Sequence, residues 1–405
     1  MIMQIRPIIT ALRRHRLATL LIAMEIALAC AVLCNACFLI MGREQRMKLN
    51  SGVDESSLAI VQLTGFDNAM ARDLNARMLS GLAAIDRVQS VSVINTVPFG
   101  PQAGANGMSL DPAMKQINAV IDFYLGGPSS FQSLGLKLVA GRLPQASDYV
   151  SLSNVLPSSA QVWITRSLAD HLWPGADPLG KEFWSGGHYR VAGVLEHLAI
   201  AQPGSRGQYS VDWSVFVPAQ PGPFLTGSYL LRARPQDISH VLRDVRAAVA
   251  KVAPDTVLDM DDSKTISEFR YAYFENDRAM ARVLVGVIAA LLLVTALGIV
   301  GLASFWVQQR RKQIGIRRAI GATRGDILRY FQTENFLIVT MGIVFGVLLA
   351  YALNVMLMKA YEVTHLPAAY VATSAIVLWL LGQLAVLGPA LRAAAVPPVV
   401  ATRSV

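Results

Sequence analysis

Four groups of residues in this 405-residue chain have types and spacings that invite a chemical reading. "GADPLGKE" (Gly175–Glu182) is one residue short of the phosphate-cradling loop G-x-x-x-x-G-K-[ST]. That loop needs a final hydroxyl for Mg²⁺, where this chain has the carboxylate of Glu182, and Pro178 removes a backbone N–H from the cradle. We expect a surface turn and no ATP hydrolysis by this chain. Cys30, Cys34 and Cys37 share one helical face, a spacing open to a soft metal or to close helix packing by small residues, and packing is the expectation. His171, His188 and His197 lack metal-ligand spacing, and no nucleophile–base dyad appears, so no catalytic, cofactor or metal residues are expected. Glu25 is an acid inside an apolar run, which a bilayer tolerates when it faces protein or is protonated; the residue type is open to a proton relay or to a hydrogen bond with another span, and the hydrogen bond is the expectation.

The elements that must hold these residues are mostly membrane spans. Hydrophobic residues make up 53% and charged residues 16%, against the ~25% charge usual in soluble domains. Mean hydropathy is +0.43. Apolar runs at Leu17–Met41, Val283–Val307, Phe336–Met358 and Tyr370–Leu391 each reach the ~20 residues needed to cross a bilayer. The first outruns the ~7–15 residues of a signal-peptide core, so a retained anchor is expected.

Basic residues set the expected orientation. Arg6, Arg13, Arg14 and Arg16 precede the first span, and seven Arg and Lys between Arg310 and Arg329 separate the second from the third. By the positive-inside rule both termini and that loop are cytoplasmic, and the long insert after the first span is periplasmic. Arg43, Arg46 and Lys48, just after the first span, run against the rule, although long translocated domains tolerate such charges. The net charge of +9 is then a topology signal, and nucleic acid is not an expected partner.

Within the insert, "SLAIVQLTGF" reads as a strand, Asn68–Ile85 as a helix, "VQSVSVINTVPFG" and "GSYLLRAR" as strands, and Asp237–Pro254 as an amphipathic helix capped by Asp237. The pattern is α/β with two lobes, one built from both ends of the insert and one from a turn-rich middle at about 145–222. Trp163, Trp173, Trp184 and Trp213 are expected in the core.

The cytoplasmic segment "QQRRKQIGIRRAIGATRGDILRYFQTENFL" carries the most information. Ile314, Ile316, Ala319 and Ile320 form a small apolar stripe among arginines. Gly321 suits a left-handed helix terminus, and Thr323 with Asp326 suits an N-terminal cap. From the residues alone, this short helix could be a solvated basic face, lie on anionic lipid, or dock into a partner.

"KQIGIRRAIGATRGDILRYF" resembles the coupling-helix signature of FtsX-like permeases. The whole chain resembles the MacB-like, macrolide-exporting branch of that family, within the type VII ABC transporters. Supporting segments are "RPIITALRRHRLATLL", "FQSLGLKLVAGR", "ITRSLADHLWPGADPLGKEF…YRVAGVLEHL" and "GPALRAAAVPPVVATRSV", the last lacking the family's final A-L-R.

The resemblance implies a membrane protein with four transmembrane helices and a large two-lobed α/β periplasmic domain between helices 1 and 2. The boundaries it suggests are a cytoplasmic amphipathic segment at 1–16, helix 1 at 17–41 and the periplasmic domain at 42–262. A stalk continuous with helix 2 follows at 263–307, the coupling helix and turn at 308–330, helix 3 at 331–358, helix 4 at 370–391, and a tail at 392–405. It also implies a non-enzymatic permease of the bacterial inner membrane, in a dimer with a second copy or a homologous permease. A separate dimeric ATPase would use ATP and Mg²⁺ beneath it, contacting Ile314, Gly315, Ile316, Arg317, Arg318, Ala319, Ile320, Gly321 and Ala322, with Arg317 and Arg318 steering. The implied function is efflux of a periplasmic substrate with a periplasmic adaptor and outer-membrane channel. The alternative is mechanotransmission to a periplasmic or membrane partner without a soluble substrate, as in FtsX or lipoprotein release.

Overall fold

A computed structural model of the chain describes residues 16–101, 104–204, 211–361 and 365–397. The expected amphipathic segment before Arg16 and the tail beyond Pro397 lie outside the described residues. The chain divides into two compact units, one of residues 1–47 with 276–405 and one of 48–275.

The first unit contains four helices long and apolar enough to cross a membrane: α1 (Arg16–Met47), α7 (Glu275–Gln309), α9 (Arg324–Tyr361) and α10 (Ala368–Ala394). Between α7 and α9 lies the short α8 (Arg311–Ala319). The long helices overrun their apolar runs, because helical hydrogen bonding continues past the hydrocarbon into polar flanks.

Small residues let α9 approach α1. A Cβ added at Gly346 would lie 2.5 Å from Cys30 Cβ and 2.8 Å from the Ala27 carbonyl oxygen; at Gly342 it would lie 2.7 Å from Ile26 Cβ. This is a glycine-every-fourth-residue contact of the kind that brings helices together in lipid. Cys30 and Cys34 are buried in this packing. Among the described residues no group of three or more His, Cys, Asp or Glu could hold a metal. Asn35 Nδ2 donates to the Ala350 carbonyl at 3.1 Å, tying α1 to α9. Asn335 Nδ2 donates to Gly382 O at 2.8 Å, tying α9 to α10. Glu25 Oε1 has no hydrogen-bond partner among the described residues, and the carboxylate rests where a Cβ on Gly298 of α7 would be.

Arg43 and Arg46, the basic residues that ran against the expected orientation, have an acidic partner. Both reach Asp277 near the start of α7. The charge after the first span is thus partly neutralised by charge before the second.

The second unit holds two sheets on one core. The first has the order β11–β1–β10–β2, from Val257–Asp259, Leu58–Thr64, Ser228–Ala233 and Val88–Val93, with all pairs antiparallel. It therefore uses both ends of the insert. Helices α2 (Ala71–Ala83) and α5 (Ile238–Val252) pack on it through Leu74, Met78, Leu82, Val241, Val245 and Val249. The second sheet has the order β3–β4–β9–β6–β8–β5, with β7 on β8. Its strands are Ala105–Met108, Ala119–Gly126, Ser214–Pro218, Ser159–Thr165, His188–Leu195, Leu138–Gly141 and Glu182–Trp184. It reaches further back than the expected middle lobe of 145–222, because β4 pairs in parallel with β9 across a long crossover.

Three local expectations change. Asp237 stands at the start of α5 but makes no side-chain cap; its carboxylate pairs with Arg234 and Arg87. The helix expected to run unbroken into span two is instead α6 (Ile266–Tyr273), followed by a turn at Phe274 with φ −92° and ψ 15°, and then α7. Of the four tryptophans, Trp163 is fully buried, while Trp173, Trp184 and Trp213 are half-buried.

The two segments that join this unit to α1 and α7 are clamped together. Arg270 of α6 donates to Glu55 from Nε at 2.7 Å and Nη2 at 2.6 Å, reaches the Leu49 carbonyl at 2.6 Å, and lies over the Phe99 ring at 4.5 Å.

Candidate partner-docking site

"GADPLGKE" is the turn the sequence suggested. Gly175 and Gly180 both have positive φ, Leu179 N–H bonds the Asp177 side chain, and Lys181 N–H bonds the Pro178 carbonyl. A strand, β7, follows, whereas a phosphate-binding loop must open into a helix N-terminus.

The segment after α7 builds a more specific object. Helix α8 ends where Gly321 takes φ +103°, a left-handed conformation that a side chain resists. Ala322 N–H then bonds the Arg317 carbonyl. Thr323 and Asp326 cap α9 reciprocally: Asp326 N–H donates to Thr323 Oγ1 at 3.2 Å, and Asp326 Oδ2 accepts from Thr323 N–H at 3.0 Å and Oγ1–H at 2.6 Å. Both elements of this turn were legible as residue types.

Helix α8 has an inner and an outer face. Ile314, 4% exposed, and Gly315 are turned inward; Ile314 packs with Val307, Ile327 and Phe331 beside Ala390, Ala393 and Ala394 of α10. Ile316 and Ile320 lie one turn apart on the outside, 44% and 81% exposed. Arg317, Ala319 and Gly321 are also exposed, and Ala322 is half-buried. Of the nine residues expected at an outward contact, Ile314 and Gly315 are therefore committed to the protein's own packing, because their side of the helix covers the base of α9.

Arginines hold α8 at both ends. At its start, Arg310 Nη1 lies 2.9 Å from both Oε1 and Oε2 of Glu334, and its guanidinium sits 5.5 Å from the Trp306 ring centre. Arg310 and Glu334 side chains are 12% and 1% exposed, so this is a buried, charge-assisted pair. Near its end, Arg318 Nη1 donates to the Ala394 and Val396 carbonyls at 2.9 and 3.0 Å, closing the C-terminus of α10. Arg318, expected to steer a partner, instead fastens α8 to α10. Arg317 lies over Tyr330 at 4.9 Å. Neither anchoring role was read from sequence, since each joins residues far apart in the chain. The available signal was Glu334 itself, an acid two residues before an apolar run.

The arrangement is thus a rigidly mounted helix showing two isoleucines in a basic surround, one end fixed to α9 and the other to α10. It contains no reactive group and can bear a contact or a load.

Comparison with known proteins bears on this assembly. Residues 22–259 match the MacB-like periplasmic core domain, and residues 285–398 match the FtsX-like permease C-terminal region. The macrolide export ATP-binding/permease protein MacB of Aggregatibacter actinomycetemcomitans is 24% identical over 355 residues, covering 84% of this chain and 51% of that protein. The protein of that name in Neisseria gonorrhoeae is 26% identical over 375 residues, covering 91% and 55%. The chain therefore spans about half the length of these curated relatives. Among solved structures, the periplasmic region of MacB from Actinobacillus actinomycetemcomitans aligns with 56% of this chain and 97% of that one, at 16% identity and a TM-score of 0.33.

Proposed function

The chain belongs to the FtsX-like permeases that carry a MacB-like periplasmic core domain, and on that premise we propose that it is the permease of an ABC transporter, driven by a separate ATPase. The observation that carries the reading is the exposed Ile316–Ile320 pair on a helix anchored by Arg310 and Arg318.

The ATPase dimer, which binds ATP and Mg²⁺, receives Ile316 and Ile320 in an apolar groove, with Arg317, Ala319, Gly321 and Ala322 at its margin. This is the helix-in-groove mode of recognition. Movement of the ATPase displaces α8. Because α8 is held to α9 through Glu334 and to α10 through the Ala394 and Val396 carbonyls, both helices follow it. At the opposite ends of α1 and α7, the Arg43–Asp277 pair makes the two helices move together. The Arg270–Glu55 clamp does the same for the segments leading into the extramembrane domain. Within each unit the force passes along side chains already in contact, with no pore through the lipid required.

In this reading the protein is a dimeric, multi-pass inner-membrane permease with cytoplasmic termini and a periplasmic domain. It exports a periplasmic substrate, as the relatives' macrolide export suggests, together with an adaptor and an outer-membrane channel. The test is co-purification of the full chain with the ABC ATPase of its own genome, followed by reconstitution in liposomes. Association and permease-dependent stimulation of ATP turnover support the proposal. Failure of every genome-encoded ABC ATPase to associate contradicts it.

A further inference from the structure

Behind the outer isoleucines of α8 lies a cavity of about 120 Å³ that shares only Arg317 with the docking residues. Arg310, Gln313, Arg317 and Tyr330 supply its polar wall, and Ile314, Ile327 and Phe331 its apolar floor. Every polar side chain in this wall can donate a hydrogen bond, and none is a carboxylate. Glu334 balances the charge of Arg310 from outside the lining. Arg317 has no acidic partner among the described residues and lies on the face of Tyr330. The wall therefore carries one uncompensated positive charge.

The position narrows the ligand. Arg310 immediately follows α7, and Ile327, Tyr330 and Phe331 belong to the first turns of α9. The cavity thus sits at the ends of two membrane-length helices, at the depth of lipid headgroups. There, the abundant ligand with one negative charge and an adjoining apolar body is a phospholipid.

We infer that this cavity binds the monoanionic phosphodiester headgroup of a membrane phospholipid, with Arg317 as the charge partner, Gln313 and Tyr330 as further donors, and the apolar floor against the glycerol backbone. Bound there, the lipid fills the space between α8 and α9 and fixes the inner face of α8 while leaving Ile316 and Ile320 free. The inference does not depend on the ATPase contact, and its test uses no ATPase.

The experiment is native mass spectrometry of the full chain after exchange into nanodiscs of equal phosphatidylglycerol and phosphatidylcholine. The wild type is expected to retain phosphatidylglycerol selectively. Arg317→Gln is expected to lower that retention about tenfold, the scale of one charge-assisted contact. Gln313→Glu, an exposed change that places a carboxylate at the rim, is expected to lower it as well and guards against misfolding of the first variant. Lys312→Gln removes the same charge from the same helix outside the cavity and should leave retention unchanged. Equal retention of both lipids by the wild type overturns the inference. So does a loss in Lys312→Gln equal to that in Arg317→Gln, which would mean diffuse attraction. Displacement of phosphatidylglycerol by millimolar inorganic phosphate would assign the cavity to a free anion and overturn it too.

Discussion

Arg310 and Glu334, 24 positions apart, meet where α7 gives way to α8, one guanidinium nitrogen lying 2.9 Å from each carboxylate oxygen. Burial makes the pair costly to halve. Removing one partner leaves the other charge unpaired in a poor solvent, which costs about 3–5 kcal/mol, whereas removing both can be nearly neutral. Arg310→Met is therefore expected to melt well below the wild type in detergent, and Arg310→Met with Glu334→Gln to recover most of the loss. Additive losses in the double variant would show that the pair has no energetic coupling.

A second outcome concerns Gly346. With Cys30 Cβ and the Ala27 carbonyl already within 2.8 Å of any added Cβ, Gly346→Val must push α9 off α1. Overpacking of this kind costs about 1–3 kcal/mol. Gly301→Ala, on the lipid-length helix α7 with nothing within 4 Å of its Cβ, is expected to be neutral. Both are read by thermal stability of the detergent-purified chain, and equal stability of the two variants would contradict the packing described.

Acid should loosen one corner of the extramembrane domain. Arg142 lies at hydrogen-bond distance from both oxygens of Asp148, and together with the Gln145 N–H it holds the Asp148 carboxyl below the usual range. A depressed carboxylate contributes stability above its unfolded value of about 3.9, and the contribution is lost as pH falls through the lower folded value. The stability difference between wild type and Arg142→Gln is thus expected at pH 7 and should close below about pH 4. Trp163, whose indole N–H bonds the Arg142 carbonyl, is a fluorescent reporter of the site. A difference unchanged between pH 7 and pH 3 would rule this linkage out.

The Arg43–Asp277 contact offers a test of function as well as stability. Asp277→Asn leaves Arg43 and Arg46 without their acid. If α1 and α7 transmit motion jointly, the variant should keep its fold and ATPase binding while losing part of the substrate-dependent stimulation of ATP turnover. Full stimulation would remove this pair from the transmission path.

What could be read from sequence followed the range of the interactions. The four membrane-length helices follow from composition alone, and the α8–α9 turn from residues within six positions, Gly321, Thr323 and Asp326. Pairings across 24 to 234 positions, as at Glu334 and Asp277, leave no local pattern. The same holds for the second sheet, whose parallel β4–β9 and antiparallel β5–β8 pairs draw in residues from outside the expected middle lobe. Helix α8 is the mixed case: its apolar stripe was visible, but which isoleucines face outward depends on where α9 and α10 lie. Asp237 and the break at Phe274 were misread because an arginine neighbour and a one-residue turn outweighed helix-capping and periodicity rules.

The most direct test of the account is the rate of ATP hydrolysis by the partner ATPase in liposomes, with the wild-type chain and with Ile316→Asp. Ile316 is exposed, so the substitution leaves the core of α8 intact, and circular dichroism should be unchanged. The expected result is permease stimulation with the wild type and, with the variant, the rate of the ATPase alone. Full stimulation by Ile316→Asp, or ATP hydrolysis by the purified chain without a partner, would contradict it.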